Sequence, residues 1–227
     1  MTIAIDRLTK IYNPDTDFPV TAVNNVALNV EQGEFVAVMG PSGSGKTTLL
    51  NMLGGIDRPS DGTVVIDGTN ITSLADRELI GFRRDNIGFI FQDFSLLPVL
   101  TAKENVEFVM QLQGRSLREC EIRAVELLRE VGLGDRLNNV PAKLSGGQQQ
   151  RVAVARALAP KPKFVLADEP TANLDAGSTR GLLDIMQQLN DKEGTTFIFS
   201  THDPRVIERA RRVIVFEDGQ VAEDRMQ

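Results

Sequence analysis

Short apolar runs recur along the chain at Glu34–Met39, Ile87–Phe91, Phe164–Ala167 and Thr195–Ser200. Each is continuously hydrophobic rather than alternating, the pattern of strands covered by helices on both faces of a parallel sheet. Small, polar or charged residues follow each run: the glycine-rich segment Gly40–Thr47, then Gln92, Asp168-Glu169 and His202. Open α/β sheets hold ligands outside the carboxyl ends of their strands, so the four ends are expected to face one site.

Helices fill the intervals, and residues 93–160 read as mostly helical. Thr101 with Glu104, and Ser116 with Glu119, have capping-box spacing and mark two helix starts. From Leu117 the positions Cys120, Ala124, Leu127 and Val131 form an apolar stripe, which makes Cys120 a core residue; Gly132 and Gly134 supply a stop. Asp203 before Pro204 predicts an N-cap and a helix just after His202. Ile3–Ile5, Val20–Val30 and Gly62–Ile66 predict a small antiparallel sheet, with Asn13–Pro19 as an exposed loop. Asp218-Gly219 predicts a hairpin near the C-terminus.

Composition narrows the setting. No apolar stretch of about 18 residues is present, so no spanning helix is expected, and the N-terminus carries no secretory pattern. A single cysteine excludes an internal disulfide and fits a reducing compartment. The net charge of -6 disfavours nucleic acid as a partner. The cluster Arg209, Arg211 and Arg212 reads as a solvated face, with anionic lipid or a partner as the other option.

The segment Gly40-Pro41-Ser42-Gly43-Ser44-Gly45-Lys46-Thr47 carries the first explicit chemistry. Its glycines let the backbone curl around phosphate with amides pointing inward, and a helix starting near Lys46 adds the positive end of its dipole. Lys46 is expected on the β- and γ-phosphates and the Thr47 hydroxyl on magnesium. Asp168, at the end of a buried strand, needs a cation, and Mg2+ supplies one. A loop of this kind alone means only that a nucleoside triphosphate binds.

Leu144-Ser145-Gly146-Gly147-Gln148 narrows that further. With the phosphate loop upstream and Asp168-Glu169 downstream, the sequence resembles, over nearly its whole length, the ATP-binding cassette (ABC) subunit of a membrane transporter. The resemblance implies an α/β P-loop NTPase (RecA-like) core at 1–92 and 161–227. It also implies an antiparallel β edge subdomain and an inserted α-helical subdomain at 93–160, all within one nucleotide-binding domain, 1–227. ATP and Mg2+ are the implied ligands, with Gly40, Ser42, Gly43, Ser44, Gly45, Lys46, Thr47 and Thr48 around the phosphates. Thr47, Asp168 and Gln92 are implied at the metal. Glu169 would polarise the attacking water, His202 would bind the γ-phosphate, and Gln92 and Lys46 would assist. Tyr12 would stack on adenine; nothing obvious reads the adenine edge, so ATP and GTP are not separated.

By the same resemblance Ser145, Gly146, Gly147 and Gln148 complete the site of a second copy, so that ATP is sandwiched between twin chains. Asp175, in Ala172-Asn173-Leu174-Asp175, would contact across that interface; the family often has Ser where Ala172 stands, which removes one side-chain contact. Phe91–Val106 resembles the lipoprotein-release and macrolide-export branch. That implies a separate integral membrane permease and a cytoplasmic place on the inner face of the membrane. A permease pair that transmits force for cell division or signalling, without transport, remains the alternative. Repair and chromosome ATPases of the wider family carry long coiled coils absent here, and ribosome-acting ones typically fuse two cassettes.

Overall fold

A computed structural model describes residues 2–227. The continuous apolar runs become the inner strands of a six-stranded sheet: β3 (Phe35–Met39), β6 (Ile87–Ile90), β7 (Phe164–Asp168) and β8 (Thr196–Thr201). With the hairpin strands β9 (Arg212–Glu217) and β10 (Gln220–Met226), the order is β10-β9-β3-β8-β7-β6, parallel except for β10. Asp218 and Gly219 turn that hairpin with φ of 47° and 77°, the left-handed pair that a two-residue turn requires. A second sheet, order β2-β1-β4-β5, is antiparallel and joins β1 (Thr2–Tyr12), β2 (Val20–Glu31), β4 (Asp61–Ile66) and β5 (Thr69–Asn70). Strand β1 runs well past Ile5. Register shifts and a left-handed Arg7 (φ 47°) interrupt its alternation, which is why periodicity marked only its first turn of residues. The loop at 13–19 is exposed, as its prolines and aspartates predict.

The central sheet is covered on both faces, as its composition demands. One face, with Val36, Val38, Phe164, Leu166 and Ile198, packs against the antiparallel sheet and helix α1 (Lys46–Leu53). The other, with Phe35, Val165, Phe197 and Phe199, belongs to the same core as helices α3 (Ala102–Leu112), α4 (Leu117–Glu130), α5 (Gly146–Leu158) and α6 (Ala176–Glu193). Thr101 and Ser116 each form the expected capping box, and Cys120 is fully buried. Gly132 ends α4 with φ 73°. Helix α2 (Asp76–Asn86) precedes β6, and α7 (Pro204–Ile207) starts on the Asp203 cap. Among the described residues no helix is long and apolar enough to cross a membrane.

Candidate functional site

The four strand ends do converge. A cavity of about 360 Å³ is lined by Ser42, Gly43, Gly45, Lys46, Thr47 and Thr48 from the loop after β3 and the start of α1. Gln92, Glu169 and His202 close its other sides, from the ends of β6, β7 and β8. Gly45 stands at the N-terminus of α1 with φ 100°, and a Cβ there would sit 2.0 Å from the Ala22 carbonyl oxygen, so only glycine fits. No side chain caps α1, leaving its first amides for an incoming anion. Lys46 is buried, and its ammonium donates to the carbonyls of Gly40 and Pro41 at 2.8 Å each. It makes no ion pair with a carboxylate among the described residues. A buried cation held only by carbonyls, beside uncapped amides, is a receptor for phosphate.

Thr47 and Asp168 meet at the cavity's edge: the hydroxyl donates to both carboxylate oxygens, at 3.0 and 3.1 Å. The described residues contain no group of three or more His, Cys, Asp or Glu placed to hold a metal. One hydroxyl and one carboxylate fit Mg2+, which keeps several waters and takes phosphate oxygens for the rest. The next residue, Glu169, leaves the strand in a left-handed conformation, φ 43°, with its N–H donating to the Ser200 carbonyl at 2.9 Å. A continuing strand would point Glu169 away from Asp168, but the chain turns here instead. The turn brings Glu169 Oε1 to 2.7 Å from His202 Nδ1, while the Thr201 hydroxyl reaches Oε2 at 3.5 Å. A carboxylate and an imidazole in contact beside a phosphate receptor can orient a water and accept its proton.

Residues 23–172 match the ABC transporter family. The chain belongs to that family. It is 50% identical over 212 residues to the macrolide export ATP-binding/permease protein MacB of Rhodopirellula baltica, covering 92% of this chain but 31% of that protein. The lipoprotein-releasing system ATP-binding protein LolD 1 of Chlorobium chlorochromatii is 45% identical over 224 residues, 98% of this chain and 91% of that one. The chain thus spans about a third of the fused MacB relative and nearly all of the LolD relative. Among solved structures, the dimeric post-hydrolysis state of the ATP-binding cassette MJ0796 bound to ADP and Pi superposes with a TM-score of 0.91 at 42% identity. It covers 99% of this chain and 98% of that one. The fold is that of a P-loop NTPase, and the chain is an ATP-binding, ATP-hydrolysing cassette that uses Mg2+.

Several expected residues of the cassette lie away from the cavity. Ser145, Gly146, Gly147, Gln148 and Asp175 are not among its lining residues. Nor are the pentad's amides all bare. Ser145 Oγ accepts from Gln148 N–H at 3.3 Å and Gln148 Oε1 accepts from Ser145 N–H at 3.0 Å, because Ser-x-x-Gln is itself a capping box for α5. Gly147 lets α5 approach α6, where a Cβ would sit 2.8 Å from Ser178 Oγ. Asp175 caps α6, accepting from Gly177 N–H, Ser178 N–H and the Ser178 hydroxyl, which holds its carboxyl below the usual range. Tyr12 also stands outside the lining; its hydroxyl donates to Asp57 at 2.8 Å and Lys10 lies 4.9 Å from its ring centre. Burial and Asp57 push the phenol up.

Ser44, expected around the phosphates, is joined by Ser200, which the sequence does not mark. Both hydroxyls are buried without a partner, and Ser200 lines the cavity beside Glu169. Such orphans are costly unless a ligand or water supplies the partner. Ser200 is opposite Asp168 in the β7–β8 pairing, and that register is the signal a sequence search would need. The loop after Gln92 is held from α5: Arg156 donates to the Phe94 carbonyl at 2.9 Å and to that of Ser95, both residues being left-handed.

Proposed function

We propose that the chain powers a separate membrane permease of the macrolide-export or lipoprotein-release type, pairing with a second copy of itself around ATP–Mg2+. The observation that carries this reading is spatial. The phosphate cavity is formed by strand ends and α1, whereas the Ser145–Gln148 start of α5 lies elsewhere on the same chain. A helix start with glycine amides that does not serve its own nucleotide fits the nucleotide of a partner. The dimeric MJ0796 cassette bound to ADP and Pi, and the MacB and LolD relatives, support the same assignment.

In this reading Lys46 and the α1 amides hold the phosphates, and Gly40, Ser42, Gly43, Ser44, Gly45 and Thr48 shape or line the loop. Thr47, Asp168 and Gln92 hold Mg2+, which when bound offsets phosphate charge. Glu169 takes the proton from water, and His202 keeps that carboxylate in place while its own exposed ring reaches the γ-phosphate. Asp175 and Ser145–Gln148 face the partner copy, and Tyr12 flanks the base. An apolar groove of about 390 Å³, lined by Phe89, Phe91, Leu97, Phe108 and Leu112 with Arg83 and Arg84 beside them, supplies a seat for the permease. Residues 93–160 act as the unit that moves it.

Glu169→Gln should abolish turnover and let ATP accumulate a stable dimer, read by light scattering. A monomer at saturating ATP–Mg2+, or an equal dimer without nucleotide, would contradict the pairing.

A further inference from the structure

The loops bearing Glu169 and His202 are joined at several points, among them the Glu169 N–H on the Ser200 carbonyl at 2.9 Å and the Thr201 hydroxyl on Glu169 Oε2 at 3.5 Å. On the open side lies the 2.7 Å contact between the two side chains. Beneath it, the Thr171 hydroxyl donates to Asp203 Oδ2 at 2.8 Å, and both residues are buried, with 1% and 9% of their surface exposed. The remaining positions on the Asp203 carboxylate are filled by Arg205, through its backbone N–H at 2.9 Å and its guanidinium at 2.7–3.2 Å. Asp203 N–H in turn donates to the Thr201 hydroxyl at 3.0 Å, the same hydroxyl that reaches Glu169. Saturated on every side, this carboxylate has one orientation.

The upper contact is more thinly supported: apart from His202, the Glu169 carboxylate accepts only the long Thr201 hydroxyl bond at 3.5 Å among the described residues. The His202 side chain is 71% exposed, so no surrounding packing fixes it; its place follows from the backbone of Thr201 and Asp203. Glu169 sits in a left-handed conformation that a non-glycine residue leaves readily unless its neighbours hold it. The turn that follows, closed by Ala172 N–H on the Glu169 carbonyl at 3.2 Å, is tied from below to the His202 loop by the Thr171 hydroxyl. Neither Thr171 nor Asp203 lines the phosphate cavity.

We propose that Thr171 and Asp203 are positioning residues for hydrolysis: their buried hydrogen bond keeps the two loops in register and so sets the Glu169–His202 geometry. The inference rests on Glu169 and His202 being the hydrolytic pair.

His202 is the only histidine of the chain, so its imidazole nitrogen resonances are read directly on the full-length protein at a single pH. Glu169→Gln provides the spectrum of a histidine that has lost its carboxylate partner. Thr171→Val, which keeps shape and removes the donor, should shift the His202 resonances toward that spectrum. It should lower kcat about ten- to a hundred-fold with KM for ATP changed by less than about two-fold. Thr171→Ser should retain both the resonances and kcat. Wild-type resonances in Thr171→Val, a change in KM alone, or equal damage in Thr171→Ser would each overturn the proposal. Where Thr171→Val fails to fold, Thr171→Ala is read by the same criteria. Because the resonances report the contact without turnover, an inactive wild-type chain would refute the hydrolytic reading while the brace is still decided.

Discussion

Asp203 shows how much a single side chain can decide. Burial works to raise its pKa, but hydrogen bonds from Arg205 and Thr171 outweigh it and hold the group down to about 2, against an ordinary 3.8. A depressed carboxylate stabilises the fold above its unfolded pKa, and that contribution is lost as pH falls through the folded value. The window is therefore pH 4 down to about 2, and the amount is about 2 kcal/mol. Acid unfolding of Asp203→Asn should lack this limb, and denaturant melts between pH 5 and 2 will read it. Sequence made Asp203 a helix cap and went no further, because the Thr171 hydroxyl is 32 positions away along the chain and meets it only through the pairing of β7 with β8. Glu169 was legible as a chemical group beside Asp168. Its left-handed backbone was not, since no side-chain pattern announces a strand that stops one residue early for a turn.

At the scale of elements, the best-marked helices were those whose ends carry their own chemistry. Thr101 with Glu104 and Ser116 with Glu119 are reciprocal boxes in sequence and in space. Helix α2 had no such flag: Ala75 stands at its cap position, Leu79 is its one buried residue, and only Glu78, accepting from Ala75 N–H at 3.0 Å, completes half a box. Helix α6 starts on the Asp175 N-cap, a residue to which the family resemblance also assigns a contact across copies, so one side chain carries two signals. Ser145 carries the same double meaning. Ser145→Ala should cost about 1 kcal/mol of stability by uncapping α5, seen as a lower denaturation midpoint. It should also stop hydrolysis while leaving nucleotide affinity of the isolated monomer intact, since Ser145 does not line the cavity. A collapse of that affinity in a titration would place the pentad at its own chain's nucleotide.

For the whole molecule, the parallel sheet, its antiparallel neighbour and the helical stretch at 93–160 were visible in the alternation of apolar runs and capped helices. The order in which strands lie side by side was not, because continuous hydrophobicity says a strand is buried without naming its neighbours. The convergence of strand ends followed from topology alone. The groove under Phe89 and Phe108 did not, as its walls come from α2, β6, α3 and α5, which only folding brings together. If the groove seats the proposed permease, Phe108→Glu, at a residue 39% exposed, should leave ATP binding unchanged and release the cassette from that partner. Co-purification from detergent-solubilised membranes measures this, and undiminished recovery of the complex would move the docking seat elsewhere.

Arg156 grips the segment behind Gln92 by main-chain carbonyls, not by the side chains of Phe94 and Ser95. A fastening of that sort is blind to what the segment displays outward. The displayed surface is thus free to change its side chains while the backbone behind Gln92 keeps its shape.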